Sequence, residues 1–233
     1  MPSKWSPTRL KKRASGVYYR VGGSDTVRRR VILTDFASKH DLVYFHSVSS
    51  DDDHAPVIRG ATATVNQRDS NFCIGTHAGY DMALIERAAD MRFVGFEATA
   101  HKWYVLEIDL KRARNLPFIF LGTRQLTKAF YAKVLTSRRN IRYIQLDSSQ
   151  KDMNAFHGTY ALIASPSELA TIYRLFTHDV IDAIAAHKHP FTVEIEGDSL
   201  IIFTEADKPS AQLADKLLHY GLWLAKTIDE QIT

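Results

Sequence analysis

Alternating apolar and polar positions predict strands over much of the first two thirds of the chain. The clearest alternation covers residues 103–110, where Trp103, Val105 and Glu107 share one face and the intervening residues share the other. Weaker alternation, or a short apolar run between turn residues, predicts further strands. These strands cover residues 17–21, 42–48, 57–65, 72–74, 118–121, 141–146 and 156–162. Within 57–65, Gly60 indicates a bulge or a close approach of another group to the backbone.

Apolar residues spaced three and four apart predict helices elsewhere. Residues 81–91 carry this spacing at Met82, Ile85 and Ala89. Residues 124–135 carry a longer stripe, which consists of Leu126, Ala129, Phe130, Val134 and Leu135. The segment 28–36 fits a helix or a strand, and its pattern does not decide between the two.

The last third of the chain predicts helix, helix, hairpin and helix in that order. The run Ser-Pro-Ser-Glu at 165–168 has the form of a capping box with proline at the first helical position, and a second helix restarts at Thr177. Residues 191–196 and 199–204 alternate on either side of a Gly-Asp turn, which is typical of a tight hairpin. Residues 207–232 carry one leucine-rich helical stripe.

These elements predict an α+β fold with a mainly antiparallel sheet, because strands precede the helices instead of alternating with them. A helix–helix–hairpin–helix segment forms the C-terminal end. The predicted organisation is a flexible basic arm at 1–15 and a single α+β domain at 16–233, with a sub-boundary near 147–155. A chain of 233 residues buries enough surface for a substantial core without metal or disulfide staples.

Residues 144–230 combine Phe156 and the strand after it, the two helices of 165–185, the segment Pro-Phe-Thr-Val-Glu-Ile-Glu-Gly-Asp-Ser-Leu at 190–200, and a leucine-rich helix. This combination resembles the end of an uncharacterised family of bacterial domains. In that family the domain commonly follows one or two N-terminal membrane helices, and no activity is established. The resemblance implies a membrane context without implying any catalytic residue. Where the family has membrane helices, this sequence has a basic arm.

Charge is strongly segregated along the chain, although the formal net charge is only +4. Residues 1–30 hold nine lysines and arginines against one acidic residue, and residues 111–142 hold nine against none. The remainder of the chain is acidic. Segregated positive charge favours anionic partners, through the potential that a basic face creates around itself.

The two basic blocks therefore predict a surface for an anionic partner. The favoured partner is the inner face of a membrane, or a protein at the membrane, because basic residues near an anionic leaflet each contribute about 1 kcal/mol. Nucleic acid is the alternative, since polynucleotide phosphates bind the same cations. A solvated basic face that complements the acidic remainder of the fold is a third interpretation. The candidate residues are Lys4, Arg9, Lys11, Lys12, Arg13, Arg124, Lys128, Arg138, Arg139 and Arg142.

The sequence predicts a cytoplasmic protein that is peripheral to the membrane. It contains no run of 18 apolar residues, so no transmembrane segment is predicted. Its single cysteine, Cys73, cannot form an intramolecular disulfide, which fits a reducing compartment.

Catalytic and cofactor motifs are not found, so the sequence predicts a non-enzymatic domain with no cofactor, no metal and no catalytic residue. Cys73 alternates like a strand residue and is interpreted as a core thiol. The histidine-containing groups at 51–54 and 178–189 lack the spacing of known metal sites. The remaining alternative is an enzyme whose site assembles from distant carboxylates and histidines. The histidines of that alternative are His46, His77 and His101.

Overall fold

One antiparallel sheet connects the described parts of the chain. The structure is a computed structural model that describes residues 24–47, 58–91, 99–113, 115–146, 151–208 and 210–232. The nine strands of these residues are β1 (Val43–Phe45), β2 (Arg68–His77), β3 (Tyr80–Met91), β4 (Thr99–Asp109), β5 (Leu116–Thr123), β6 (Arg142–Ile144), β7 (Tyr160–Ala164), β8 (Thr192–Gly197) and β9 (Ser199–Glu205). They lie in the order β1-β2-β3-β4-β9-β8-β5-β7-β6, and each neighbouring pair is antiparallel.

Six helices accompany the sheet in the described residues. They are α1 (Ser24–Lys39), α2 (Lys128–Ser137), α3 (Lys151–Thr159), α4 (Leu169–Leu175), α5 (His178–Ala186) and α6 (Ala211–Gln231), and a 3₁₀ turn (Pro166–Glu168) precedes α4. The predicted α+β class is therefore confirmed, with a mainly antiparallel sheet and a helix–helix–hairpin–helix end. Residues 1–15 lie outside the described residues, as does part of the predicted boundary at 147–155.

Both faces of the sheet are buried. The face that we call the helical face packs against α1, α3, α4, α5 and α6, with Leu106 of β4 and Leu217 of α6 in one continuous apolar cluster. The opposite face packs against α2 and the segment 58–67, and its cluster includes Trp103 and Phe130. Because both faces are covered, the central strands carry apolar side chains on both sides.

The prediction of a helix at 81–91 is wrong, because these residues form β3. Leu84 lies in the cluster of the helical face, and Ile85 lies in the opposite cluster. β3 pairs with both β2 and β4, and the two clusters bury its central side chains on both faces. A strand buried on both sides shows no polar alternation, and chance spacing of its apolar residues then imitates a helical stripe.

The prediction of a strand at 57–65 is also wrong for its described part, because residues 58–67 form turns and irregular backbone. Gly60 does mark the close approach that its position indicated. It has φ +94°, and a β-carbon there would lie 3.0 Å from Oε2 of Glu194 on β8. The residues at 68–71, which have the composition of a turn, belong to β2, and the left-handed Asn71 (φ 52°) lies within its register shift.

The structure also settles or corrects three local predictions about the helices. Residues 28–36 lie within α1, which settles the alternative that the pattern left open. The predicted strand at 156–162 begins as the end of α3, and β7 starts only at Tyr160. At the predicted capping box, the Ser165 side chain makes no cap hydrogen bond, and its hydroxyl lies 2.8 Å from that of Ser167.

Candidate functional site

Helix α2 carries the middle of the second basic block and packs against the sheet. The Thr127 hydroxyl caps it by accepting a hydrogen bond from the Phe130 amide at 3.2 Å, so the helix begins four residues later than the pattern predicted. Phe130 and Val134 are buried against the face opposite the helical face. This packing fixes the orientation of α2 and therefore determines what each basic side chain on and near the helix contacts.

Lys133 of α2 points inward, although its charge counted toward the predicted basic surface. Its ammonium group donates hydrogen bonds to the carbonyl oxygens of Ala61 and Ala63, at 2.6 and 2.5 Å. Burial lowers the pKa of Lys133 to about 8, while the nearby Glu194 carboxylate opposes the shift. Lys133 therefore holds the segment 58–67 in place.

Arg138 follows α2 and is paired with a carboxylate. Its guanidinium donates two hydrogen bonds to Glu196 of β8, at 2.6 and 3.1 Å, and lies 5.0 Å from the centre of the Phe118 ring. The hydrogen bonds to Glu196 raise the pKa of Arg138. Its charge is already neutralised, so Arg138 contributes less to an anionic surface than its position in the sequence indicated.

Arg139 and Arg142 remain as exposed cations at the outer edge of the sheet. No carboxylate of the described residues lies within salt-bridge distance of either side chain. Arg142 lies on β6, the last strand of the sheet, and Arg139 lies just before it. These two residues are positive charges of the second block that no carboxylate of the described residues compensates.

The other two candidates of this block lie near the start of α2. Arg124 is exposed and donates a hydrogen bond to the His157 carbonyl at 2.9 Å, which leaves its charge without a carboxylate in that contact. Lys128 is exposed on the first turn of α2. A ten-residue helix is about 15 Å long, so the first turn of α2, which carries Lys128, is roughly that far from the end of the helix, which Arg139 follows. The arm candidates Lys4, Arg9, Lys11, Lys12 and Arg13 lie outside the described residues.

Arg87 of β3 holds the segment 58–67 against the sheet through hydrogen bonds. Its buried guanidinium donates two hydrogen bonds to the Asp69 carboxylate, at 2.8 and 2.7 Å. It also donates to the Thr62 hydroxyl at 2.9 Å and the Ile58 carbonyl at 2.5 Å. Four of the five N–H donors of this buried arginine are engaged within the fold, so the group stabilises the fold and is not free to bind a partner.

A second buried ion pair joins α1 to the sheet. The guanidinium of Arg29 lies 2.5 Å from the Glu86 carboxylate, and each side chain is 10% exposed. Arg29 also donates to the carbonyl oxygens of Ala206 and Asp207, which follow β9. One member of the first basic block therefore serves the core, which the count of charges could not show.

Asp229 of α6 holds the loop between β4 and β5. Its buried carboxylate accepts hydrogen bonds from the backbone amides of Lys111, Arg112 and Ala113, at 3.1, 2.9 and 3.3 Å. It also accepts one from the Tyr80 hydroxyl at 2.9 Å. Burial, together with this hydrogen bond, raises the pKa of Tyr80 to about 12. The arrangement positions a loop and presents no free acid.

The histidines of the enzyme alternative lie apart in the sheet. His77 pairs with Tyr80 at one end of β3, and His101 pairs with Ala89 near the other end. Nine residues separate these partners, which is about 30 Å along a strand. His46 contacts Asn71 at 3.2 Å. Within the part of the chain that the structure describes, no three His, Cys, Asp or Glu side chains are placed to hold a metal ion.

Cys73 behaves as the predicted core thiol. It is fully buried beneath α1, and its Sγ lies 3.4 Å from the Leu33 carbonyl. Burial raises the pKa of the thiol, so the reactive thiolate is disfavoured.

Sequence reasoning missed the exposed apolar residues of β6 and α4. Tyr143 of β6 is 54% exposed, and Leu169 and Tyr173 of α4 are 36% and 48% exposed. Alternation predicted the short strand at 141–146. Only the sheet order shows that this strand lies at the edge of the sheet, with one side toward solvent. Leu169 and Tyr173 belong to the apolar pattern of α4, and their buried neighbours Ile172 and Leu175 fill the core in their place.

Comparison with known proteins gives the class of fold and one solved neighbour. No protein-family model and no curated protein sequence matches the chain. The fold is similar to that of a solved mycobacterial protein, at a TM-score of 0.56 and 14% sequence identity. The alignment covers 90% of this chain and 95% of that one. That structure is of the mycobacterial trehalose monomycolate transport factor A, TtfA.

The similarity supports the α+β architecture. At 14% identity it speaks to the fold alone. The helices of the described residues include none with the length and apolar character needed to cross a bilayer.

Proposed function

We propose that this chain is a non-enzymatic binding domain that docks on an anionic membrane surface, the inner face of a membrane, as a peripheral protein. One observation carries the proposal. Arg139 and Arg142 are exposed at the edge of the sheet, without a carboxylate partner in the described residues, in a stretch of 32 residues that contains no acid. Arg124 and Lys128 extend the positive surface along α2, and the basic residues at 4–13 add to the charge of the chain.

The physical basis is the attraction of cations to anionic lipid. Each lysine or arginine near such a surface contributes about 1 kcal/mol, and salt screens the contribution. The structural neighbour is a transport factor for trehalose monomycolate, which is compatible with a partner at a membrane. The family resemblance of the C-terminal part supports the same context.

The test is flotation of the protein with vesicles of phosphatidylglycerol and phosphatidylcholine, compared with phosphatidylcholine alone, at low and high salt. Reversing two charges in Arg139→Glu/Arg142→Glu removes about 2 kcal/mol of attraction or more, so binding to the anionic vesicles should weaken at least about 30-fold. The matched control is Arg68→Glu/Lys102→Glu, which makes the same change of net charge at exposed positions on β2 and β4, in the other half of the sheet.

The control should bind as the unaltered protein does. Equal weakening in both variants would show that only net charge matters, and unchanged binding in both would overturn the proposal. A polynucleotide titration of the same proteins tests the alternative partner, nucleic acid. If binding there is tighter than to vesicles and falls steeply with salt, the cations serve nucleic acid.

A further inference from the structure

We infer that the domain enters the membrane surface through one edge of its sheet, which stands edge-on to the bilayer. This edge, which we call the β6 edge, consists of Arg139, Arg142 and Tyr143. The inference rests on the proposed function and adds to it the inserting residues and the orientation. The ligand is the headgroup region of an anionic bilayer, where aromatic rings and arginines both find favourable surroundings.

Tyr143 is the central residue of the β6 edge. It lies on the outermost strand, where its backbone register places it beside Ile163 of β7. Its ring lies 6.1 Å from the ring of Tyr131, and the Tyr131 hydroxyl is held by the Thr123 carbonyl at 2.8 Å. The supported neighbour orients Tyr143, while more than half of its surface remains open to a ligand. A tyrosine ring with a polar tip suits the boundary between acyl chains and headgroups.

Tyr143 is also distinctive among the exposed apolar residues. Large exposed hydrophobic side chains are few in the described residues, and Tyr143 is the only one of them that lies on a strand. The six are Val27, Val31, Val65, Tyr143, Leu169 and Tyr173.

The charges of the edge favour lipid over a further protein strand. β6 has only three residues, and arginines precede it and occupy it. Short edge strands that carry charged side chains are poor templates for strand addition. The same arginines beside the exposed Tyr143 ring suit an anionic bilayer, which accepts the charges at its phosphates and the ring just below them.

The experiment reports the surroundings of single positions on the full chain. Cysteine is introduced by Tyr143→Cys or Val31→Cys and labelled under native conditions with an environment-sensitive fluorophore. The natural Cys73 is fully buried and is not labelled in the folded protein. Val31 is the matched control, because it is 53% exposed, as Tyr143 is 54% exposed, but lies on α1, which packs on β1 and β2 at the opposite end of the sheet.

With vesicles of phosphatidylglycerol and phosphatidylcholine, the probe at 143 should shift to shorter wavelength and brighten several-fold, while the probe at 31 stays unchanged. A shift at 31 with none at 143 would reverse the orientation and overturn the inference. Flotation of the same labelled samples separates the two claims. If the proteins float but the probe at 143 stays in water, the inference fails and the proposed function stands. If the unlabelled protein does not float, both fail.

Discussion

At the scale of single residues, the most unusual group of the structure is the carboxylate of Glu194. It is 3% exposed and accepts a hydrogen bond from the Ala61 amide at 2.7 Å. Burial raises its pKa, although that hydrogen bond and the nearby Lys133 oppose the shift. The segment 58–67 is thus held by a buried acid, a half-buried lysine and the buried Arg87, in place of a partner strand.

The Glu194→Gln variant should become more stable relative to the unaltered protein as the pH rises. The raised folded-state pKa means that Glu194 stabilises the fold fully below about pH 4.5 and that this contribution is lost as the pH rises through the folded-state value. Glutamine keeps an acceptor for Ala61 and does not titrate. Urea unfolding of both proteins between about pH 4.5 and 7 measures the difference, in a range where Lys133, with its pKa of about 8, stays charged.

The control for this comparison is Glu230→Gln, which removes one exposed carboxylate from α6. It accounts for the general effect of one negative charge on a chain of this net charge. If the stability profiles of Glu194→Gln and the unaltered protein run parallel across the range, burial does not govern the titration of Glu194.

At the scale of elements, the packing of α6 on the sheet depends on one glycine. A β-carbon at Gly221 would lie 2.7 Å from Leu106, 3.0 Å from Ile108 and 3.2 Å from Ile202, all of them buried side chains. The helix therefore approaches β4 and β9 as closely as its backbone allows. Gly158, near the end of α3, has nothing within 4 Å of the same position.

These two glycines should respond to alanine with opposite signs. In open space, alanine stabilises a helix interior by up to about 1 kcal/mol over glycine, so Gly158→Ala should raise the free energy of unfolding. At Gly221 the contacts with packed side chains outweigh that gain, and Gly221→Ala should destabilise by about 1–3 kcal/mol. Chemical denaturation of both variants measures the pair. Stabilisation by Gly221→Ala would show that α6 can move away from the sheet at little cost.

The same scale shows which parts of the fold the sequence could predict. Strand β4, the β8–β9 hairpin and α6 each follow one clear period, and all three are confirmed. Strand β3 lies between two strands with both faces covered, so its pattern carried no period to recognise. The segment 58–67 resembles a strand in composition, but its carbonyls bond to Arg87 and Lys133, which lie far away in the sequence.

The sequence showed how many basic residues the site contains, but not which of them are exposed and unpaired. The block at 111–142 is visible from composition, and Arg139 and Arg142 are exposed. Arg138 pairs with Glu196, 58 positions away, and Lys133 bonds to Ala61, 72 positions away. Such pairings depend on the order of strands, which no local pattern encodes.

At the scale of the whole molecule, α1 ties the two ends of the described chain together. Arg29 bonds to Glu86 in the sheet and to the carbonyl of Ala206 near the C-terminal end. At the other end of α1, the His40 ring lies 2.8 Å from the Asp215 carboxylate of α6. Because α1 also covers Cys73, the labelling rate of that thiol reports how readily α1 separates from the sheet.

Labelling of Cys73 by a thiol reagent should be slow in the unaltered protein and much faster in Arg29→Met. Removing one partner of a buried ion pair costs about 3–5 kcal/mol, which corresponds to at least about a 100-fold faster reaction if labelling requires opening. Arg28→Met is the matched control, because Arg28 is the exposed neighbour on the same helix. Equal labelling rates in the two variants would show that α1 opens independently of the Arg29–Glu86 pair.

The strand order also has a consequence for the nascent chain. Strands β4 and β5 follow each other in the sequence, yet the β8–β9 hairpin separates them in the sheet. Residues 124–205 must therefore be translated before both strands have their second neighbours, which takes roughly 4–16 s at about 5–20 residues per second. During that interval two apolar strands present open edges on the ribosome, where wrong pairing is easiest. The hairpin that closes the sheet is also among the last parts of it to leave the exit tunnel.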